Sequence, residues 1–184
     1  VAYNLLMFEP DTVLDDIRIN LRFIERHLDN PLNFCRAEAY AGTGLEHKLR
    51  KEGRLLGDYF GFDYRLKDPQ SEAFHQIANY AFFDRNFSDL GLHYYNMEVD
   101  FYFQLLRRFY PTTVTLTLRS AVRSFIKLCN LDTYQFLCQI YDFIAVADPT
   151  DRTSLRRFAG EMRELVDERS RELRAQGERV QERL

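Results

Sequence analysis

Tryptophan is missing from the 184 residues, and cysteine occurs only three times, at Cys35, Cys129 and Cys138. An odd count with no metal-ligand spacing argues against a disulfide framework and against a zinc site. A charge excess is also lacking, since 25 basic side chains stand against 28 acidic ones, for a formal net charge of −3. Nucleic-acid recognition requires a basic face, so no nucleic-acid partner is expected. No apolar run approaches the ~20 residues that span a bilayer, and no signal peptide stands out. The expectation is therefore a cytoplasmic chain with no membrane partner. His47, His75 and His93 lie far apart and none belongs to an H-x-x-x-H or H-E-x-x-H pair, so no metal ligand is assigned. What is abundant is aromatic: 16 Phe and 11 Tyr, in a chain long enough for one well-packed domain.

The periodicities change along the chain. Tyr3 to Phe8 is a continuous apolar run, as in a strand buried on both faces of a parallel sheet. The turn Glu9-Pro10-Asp11-Thr12 ends it, with Thr12 and Asp15 as a cap for a helix over 13–28. That helix places Leu14, Ile17, Leu21, Ile24 and Leu28 on one face. Asn30-Pro31 stops it, and a second strand is read over 32–41. There Phe34, Arg36, Glu38 and Tyr40 alternate with Cys35, Ala37 and Ala39, so one face carries the large and charged groups. Strand, helix, strand with this spacing is a βαβ unit with parallel strands. Gly42-Thr43-Gly44 then turns the chain into a helix with a Thr43-x-x-Glu46 capping box and a closing Gly53.

From Leu55 to Asp68 the chain reads as a loop with aromatic anchors and at most a short strand near Tyr64. After Pro69 it becomes helical, with helices over 71–87, 93–110 and 113–129, a fourth capped by Asp132 and ending before Asp148-Pro149, and a last over 153–184 dense in Arg and Glu. The first half of that last helix should dock on the helical core. Its second half is solvated or pairs with another chain, which would make it a homo-oligomer surface. The rings of Tyr94, Tyr95, Phe101, Tyr102, Phe103, Phe109 and Tyr110 are read as core filling, with a flat-ligand site as the alternative. The fold class is thus α+β, mostly helical: a βαβ unit within residues 1–66, then a C-terminal helical bundle over 67–184. The chain opens inside an apolar run at Val1 without a Met, and the reading takes it as a piece of a longer or trimmed protein.

The two strand ends carry a resemblance. Leu5-Leu6-Met7-Phe8-Glu9-Pro10-Asp11-Thr12, followed by Arg36-Ala37-Glu38-Ala39-Tyr40-Ala41-Gly42-Thr43-Gly44-Leu45, resembles the late strands of the barrel in radical S-adenosylmethionine enzymes of the cobalamin-binding type. It departs from that pattern twice: the first turn lacks the family's glycines and the second its prolines. The C-x-x-x-C-x-x-C signature that holds the family's [4Fe–4S] cluster is absent. The resemblance covers residues 1–66 and implies the last strands of a partial TIM-like barrel, with the signature upstream of Val1. It further implies S-adenosylmethionine, a [4Fe–4S] cluster and cobalamin as cofactors of the whole protein, and a small-molecule substrate. The upstream barrel and cobalamin domain would be its intramolecular partners, and the chain would not be catalytic alone.

Five residues are candidates for contacting S-adenosylmethionine or substrate. Arg36, Glu38 and Tyr40 follow one strand face towards the turn. An Arg holds a carboxylate bidentately, and a Glu accepts from an amino group or ribose hydroxyl. Their structural alternative is pairing with neighbouring strands. Glu9 lies at the C-terminal edge of the first strand, where α/β sites sit. Thr43 lies in a turn that could cradle an anion at a helix N-terminus, although capping and tight turning explain it equally. A second function class stays open, a non-catalytic helical interaction or oligomerisation module.

Overall fold

The computed structural model describes residues 2–184; Val1, where the chain was read as a piece of something longer, lies outside them. The architecture is α+β and mostly helical. β1 (Tyr3–Phe8) and β2 (Leu32–Arg36) pair in parallel, joined by α1 (Leu14–Arg26). The periodic residues Ile17, Leu21, Ile24 and Leu28 are buried as the spacing predicts, and each fully buried Leu or Ile side chain contributes roughly 1.5–3 kcal/mol. The cap of α1 differs from expectation. Thr12 Oγ1 accepts from the Glu9 amide at 2.8 Å, tightening the turn, while Asp16 accepts from the Val13 amide at 3.0 Å and closes the helix start. In β1 the pairing slips between Leu6 and Phe8, so the neighbours Met7 and Phe8 are both buried.

β2 ends at Arg36, not at Ala41. β1 stops at Phe8, opposite Arg36, so 38–41 have no strand to pair with, and alternation of side chains alone does not make a ladder. The segment read as a loop after Gly53 contains an antiparallel hairpin, β3 (Leu55–Asp58) and β4 (Gly61–Tyr64), turning through Tyr59 and Phe60. Gly57 is required in it: its φ is +76°, and a Cβ there would run into the Gly61 carbonyl. Between sheet and hairpin lies α2 (Gly44–Lys51), capped by Thr43 as read from the sequence.

The helical part contains α3 (Pro69–Ala81), α4 (Phe83–Phe87), α5 (Leu92–Phe109), α6 (Leu116–Val146) and α7 (Arg152–Gln181), with a short 3-10 turn at Pro111–Thr113. Two expectations are corrected here, the single helix over 71–87 and the pair of helices around Asn130. The 71–87 helix breaks at Phe82, whose buried ring packs edge-on against Phe34 at 5.2 Å. The two helices read around Asn130 are one. Asp132 does not cap anything, because it sits inside α6, buried, and binds Arg85 and Arg169. The second half of α7 packs on its own chain: Leu173 is fully buried, Tyr95 donates from its hydroxyl to Gln181 at 2.8 Å, and Gly177 lies against Tyr95 and Phe125.

Two apolar clusters result. The larger joins β1, β2 and α1 to α3, the second half of α6 and the first half of α7, so it is shared between 1–66 and 67–184. The smaller lies among α5, the first half of α6 and the end of α7. Of the seven rings read as core filling around α5, only Tyr95 and Phe103 are buried; Tyr94, Phe101, Tyr102, Phe109 and Tyr110 are exposed.

Candidate functional site

Because β1 and β2 run parallel, their C-terminal ends share one edge of the fold. Arg36 is the last residue of β2. One guanidinium nitrogen donates to the Tyr64 carbonyl at 2.9 Å, another pairs with Asp63 at 2.6 Å, and the group lies 4.6 Å from the Tyr64 ring centre. Tyr64 is buried, donates from its hydroxyl to the Ala37 carbonyl, and has its pKa pushed up to about 12 by burial. The hairpin therefore fixes the guanidinium that β2 presents, leaving three of its five N–H donors unassigned by these bonds.

Arg36 borders a cavity of about 170 Å³, floored by Phe8 and Phe34 and walled by His75, Asn79 and Asn86. His75 and Asn79 stand one turn apart on α3, a helix started by Asp68, whose carboxylate accepts from the Ser71 amide at 2.9 Å and hydroxyl at 2.7 Å. Asn86 comes from α4, delivered by the break at Phe82. Two polar atoms here are buried with no hydrogen-bond partner, His75 Nδ1 and Asn86 Nδ2. Asn86 is only 5% exposed. An orphaned buried donor or acceptor costs about 1–3 kcal/mol, and two of the four such atoms among the described residues belong to residues that line this cavity.

The electrostatics favour binding over proton transfer. Burial, with Arg36 adding to it, lowers the His75 pKa to about 4. The imidazole is thus neutral near pH 7, a weak base but able to donate or accept one hydrogen bond. Burial and the nearby Glu38 carboxylate push the Cys35 thiol up, which keeps it protonated and unreactive. Glu38 stands at the mouth, exposed, and accepts from the Tyr40 hydroxyl.

Of the five candidates, Arg36 and Glu38 line the cavity, and Tyr40 reaches it only through Glu38. Glu9 is exposed and is not part of the lining. Its turn is held by Asp11, which binds Lys48 and Arg54, the latter at 2.8 Å. Those bonds hold the Asp11 carboxyl below the usual carboxylate range. The Thr43 hydroxyl is used by the fold, accepting from the Glu46 amide at 3.3 Å and donating to the Tyr40 carbonyl at 2.7 Å. Sequence reasoning missed Asn79 and Asn86 and weighed His75 only as a metal ligand. The available signal was the His75/Asn79 pair, one turn apart on a helix otherwise rich in buried apolar residues.

The donor set does not fit an iron–sulfur cluster. Cys129 and Cys138 are nine residues apart on α6 and Cys35 is on β2, and burial holds the Cys129 thiol up at about 12. Among the described residues no three His, Cys, Asp or Glu side chains are placed to hold a metal.

The depressed His75 pKa carries a stability prediction. Between about pH 6.5 and 4 the unfolded chain binds a proton at this residue and the folded one does not, so stability present above pH 6.5 is lost as the pH falls through that window. A His75→Gln variant is expected to show a flatter dependence of Tm on pH in that range. Parallel curves for the variant and the parent would refute it. No protein family, no protein of curated function and no solved structure matches this chain.

Proposed function

We propose that the chain is the C-terminal part of a cobalamin-type radical S-adenosylmethionine enzyme, and that the cavity at the end of β2 is one wall of its S-adenosylmethionine and substrate site. The observation that carries this reading is the pair of orphaned polar atoms, His75 Nδ1 and Asn86 Nδ2, beside Arg36 and Glu38. In this role Arg36 and Asn86 hold a carboxylate, Glu38 accepts from an amino group or ribose hydroxyl, and neutral His75 takes whichever partner its tautomer allows. The ligand supplies the radical chemistry when it is reduced; the residues here bind it, orient it and keep water out.

Two further features support the reading. The cavity of about 170 Å³ is smaller than the roughly 300 Å³ at which complete ligand pockets begin, which suits a wall completed by other residues. Among the described residues, β1 and β2 form a two-stranded parallel sheet with an unpaired edge on each strand, an arrangement seldom stable alone and suited to a barrel remnant. The helices after Pro69 then act as a bundle covering that remnant. The cluster and cobalamin belong to other parts of the protein, in the cytoplasm. The alternative, an oligomerisation module built on the last helix, has less support, because Leu173, Val180 and Leu184 pack within the chain's own smaller cluster.

The test uses the longer, cluster-loaded protein that includes a C-x-x-x-C-x-x-C strand, with calorimetry of S-adenosylmethionine binding. Arg36→Ala and Asn86→Ala are each expected to weaken binding by about tenfold or more, the worth of a charge-assisted or buried hydrogen bond. Unchanged affinity in both variants, in folded protein, would sink the proposal.

A further inference from the structure

The exposed rings left over from the core are not scattered. Phe109 (66% exposed), Tyr110 and Leu116 (85% exposed) cluster at the corner where α5 passes through the Pro111–Thr113 turn into α6. Tyr102 and Tyr110, with Leu105, Leu106 and Leu184, wall an adjoining apolar hollow of about 400 Å³. Aromatic and leucine side chains gathered in this way mark an interaction surface.

The chain segment that passes through this corner is polarised in charge, although Glu182 at the end of α7 lies beside Leu184 in sequence. From Phe101 to Leu131 there is no Asp or Glu, although the chain carries 28 acidic residues. Five cations lie in that stretch, and one of them, Arg123, is engaged by the Asp29 carbonyl and by Asp100. Arg107, Arg108 and Arg119 flank the exposed rings, are themselves exposed, and have no ion-pair partner among the described residues.

We infer that this corner docks on an anionic lipid surface. Phe109, Tyr110 and Leu116 enter the boundary between headgroups and acyl chains, and the three arginines meet lipid phosphates and carboxylates. Stable reversible attachment needs both signals, and the corner supplies both. A second copy of this chain suits the corner less well, because an isologous contact would set the three arginines against themselves. A nucleic acid would leave Leu116, the most exposed of the corner's three apolar side chains, without a role. The earlier expectation of no membrane partner rested on the lack of a spanning run and does not bear on surface attachment.

The experiment is co-sedimentation of the 184-residue chain with vesicles of phosphatidylcholine containing about 30% phosphatidylserine, and with pure phosphatidylcholine. The expected result is binding to the mixed vesicles that weakens as salt is raised, with little binding to the neutral ones. Arg107→Glu with Arg108→Glu, and separately Phe109→Ser with Leu116→Ser, should each reduce binding by about tenfold or more while circular dichroism stays that of the parent. No binding to the mixed vesicles, or unchanged binding by either folded double variant, overturns the inference. So does a dimer that the Phe109/Leu116 variant dissolves, or poly(U) that binds and displaces the vesicles.

Discussion

Replacing Asp132 with Ala is expected to remove about 3–5 kcal/mol of stability, the usual result of breaking a buried ion pair from one side. Asp132 takes Arg85 Nη1 at 2.6 Å on one carboxylate oxygen and Arg169 Nε at 2.9 Å on the other. Arg85 is 3% exposed, and its remaining bond is to the Cys129 carbonyl at 3.0 Å. Without the carboxylate, a guanidinium stays in the interior with only a neutral acceptor. For a chain of this size each kcal/mol moves Tm by about 2–4 °C, so a fall of roughly 6–20 °C should appear in a thermal scan. Arg169→Ala is the milder control, because Arg169 is partly solvated and its loss leaves the Arg85 pair intact. A double replacement, Asp132→Leu with Arg85→Met, should recover much of the loss, because it leaves no charge behind. A single Asp132→Ala variant that melts with the parent would mean that water reaches Arg85 in solution.

Two glycines on α7 are expected to respond with opposite sign to the same change. Gly160→Ala should stabilise by about 0.5–1 kcal/mol, the ordinary gain from removing Gly from a helix interior. A Cβ there meets nothing within 4 Å. At Gly177 the new carbon would stand 2.5 Å from Phe125 Cζ and closer still to Tyr95 Cε1. Both rings belong to the smaller cluster, so α7 would have to lift from α5 and α6. The cost of such overpacking is about 1–3 kcal/mol and exceeds the helix gain. Urea midpoints compared at constant m-value would read both effects. If Gly177→Ala stabilised the protein, the close approach of α7 would be wrong.

How far the sequence carried depends on how local the cause was. α1 was legible because its stripe of Ile17, Leu21 and Ile24 reports burial through a period that needs no partner identity. Thr43 was legible because a cap bonds within three residues. The end of β2 was not, since Glu38 and Tyr40 continue the alternation that strands show, while the ladder ends where its neighbour does. Asp132 misled for a related reason: a short acidic residue after Asn130 looks like a cap, and the partners that hold it inside a helix lie 47 and 37 residues away. The candidate site divides in the same way. Arg36 and Glu38 were marked by charge on a strand end. Asn86 became visible only when the break at Phe82 brought α4 over β2.

The sharing of the larger cluster by β1, β2, the second half of α6 and the start of α7 has a consequence for how this polypeptide is made. Residues up to Leu66 leave the ribosome with their apolar faces ready, and α3 follows at once with Ala73, Phe74 and Ile77, yet the side chains that complete that cluster, from Leu137 to Val166, come 71 to 100 residues later. At about 5–20 residues per second, the N-terminal elements and α3 wait roughly 4–20 seconds for the helices that complete their cover. During that interval the cluster lacks the side chains that α6 and α7 contribute to it. Slowing translation between Leu66 and Leu137 should therefore lower the soluble yield of this chain more than slowing it after Val166.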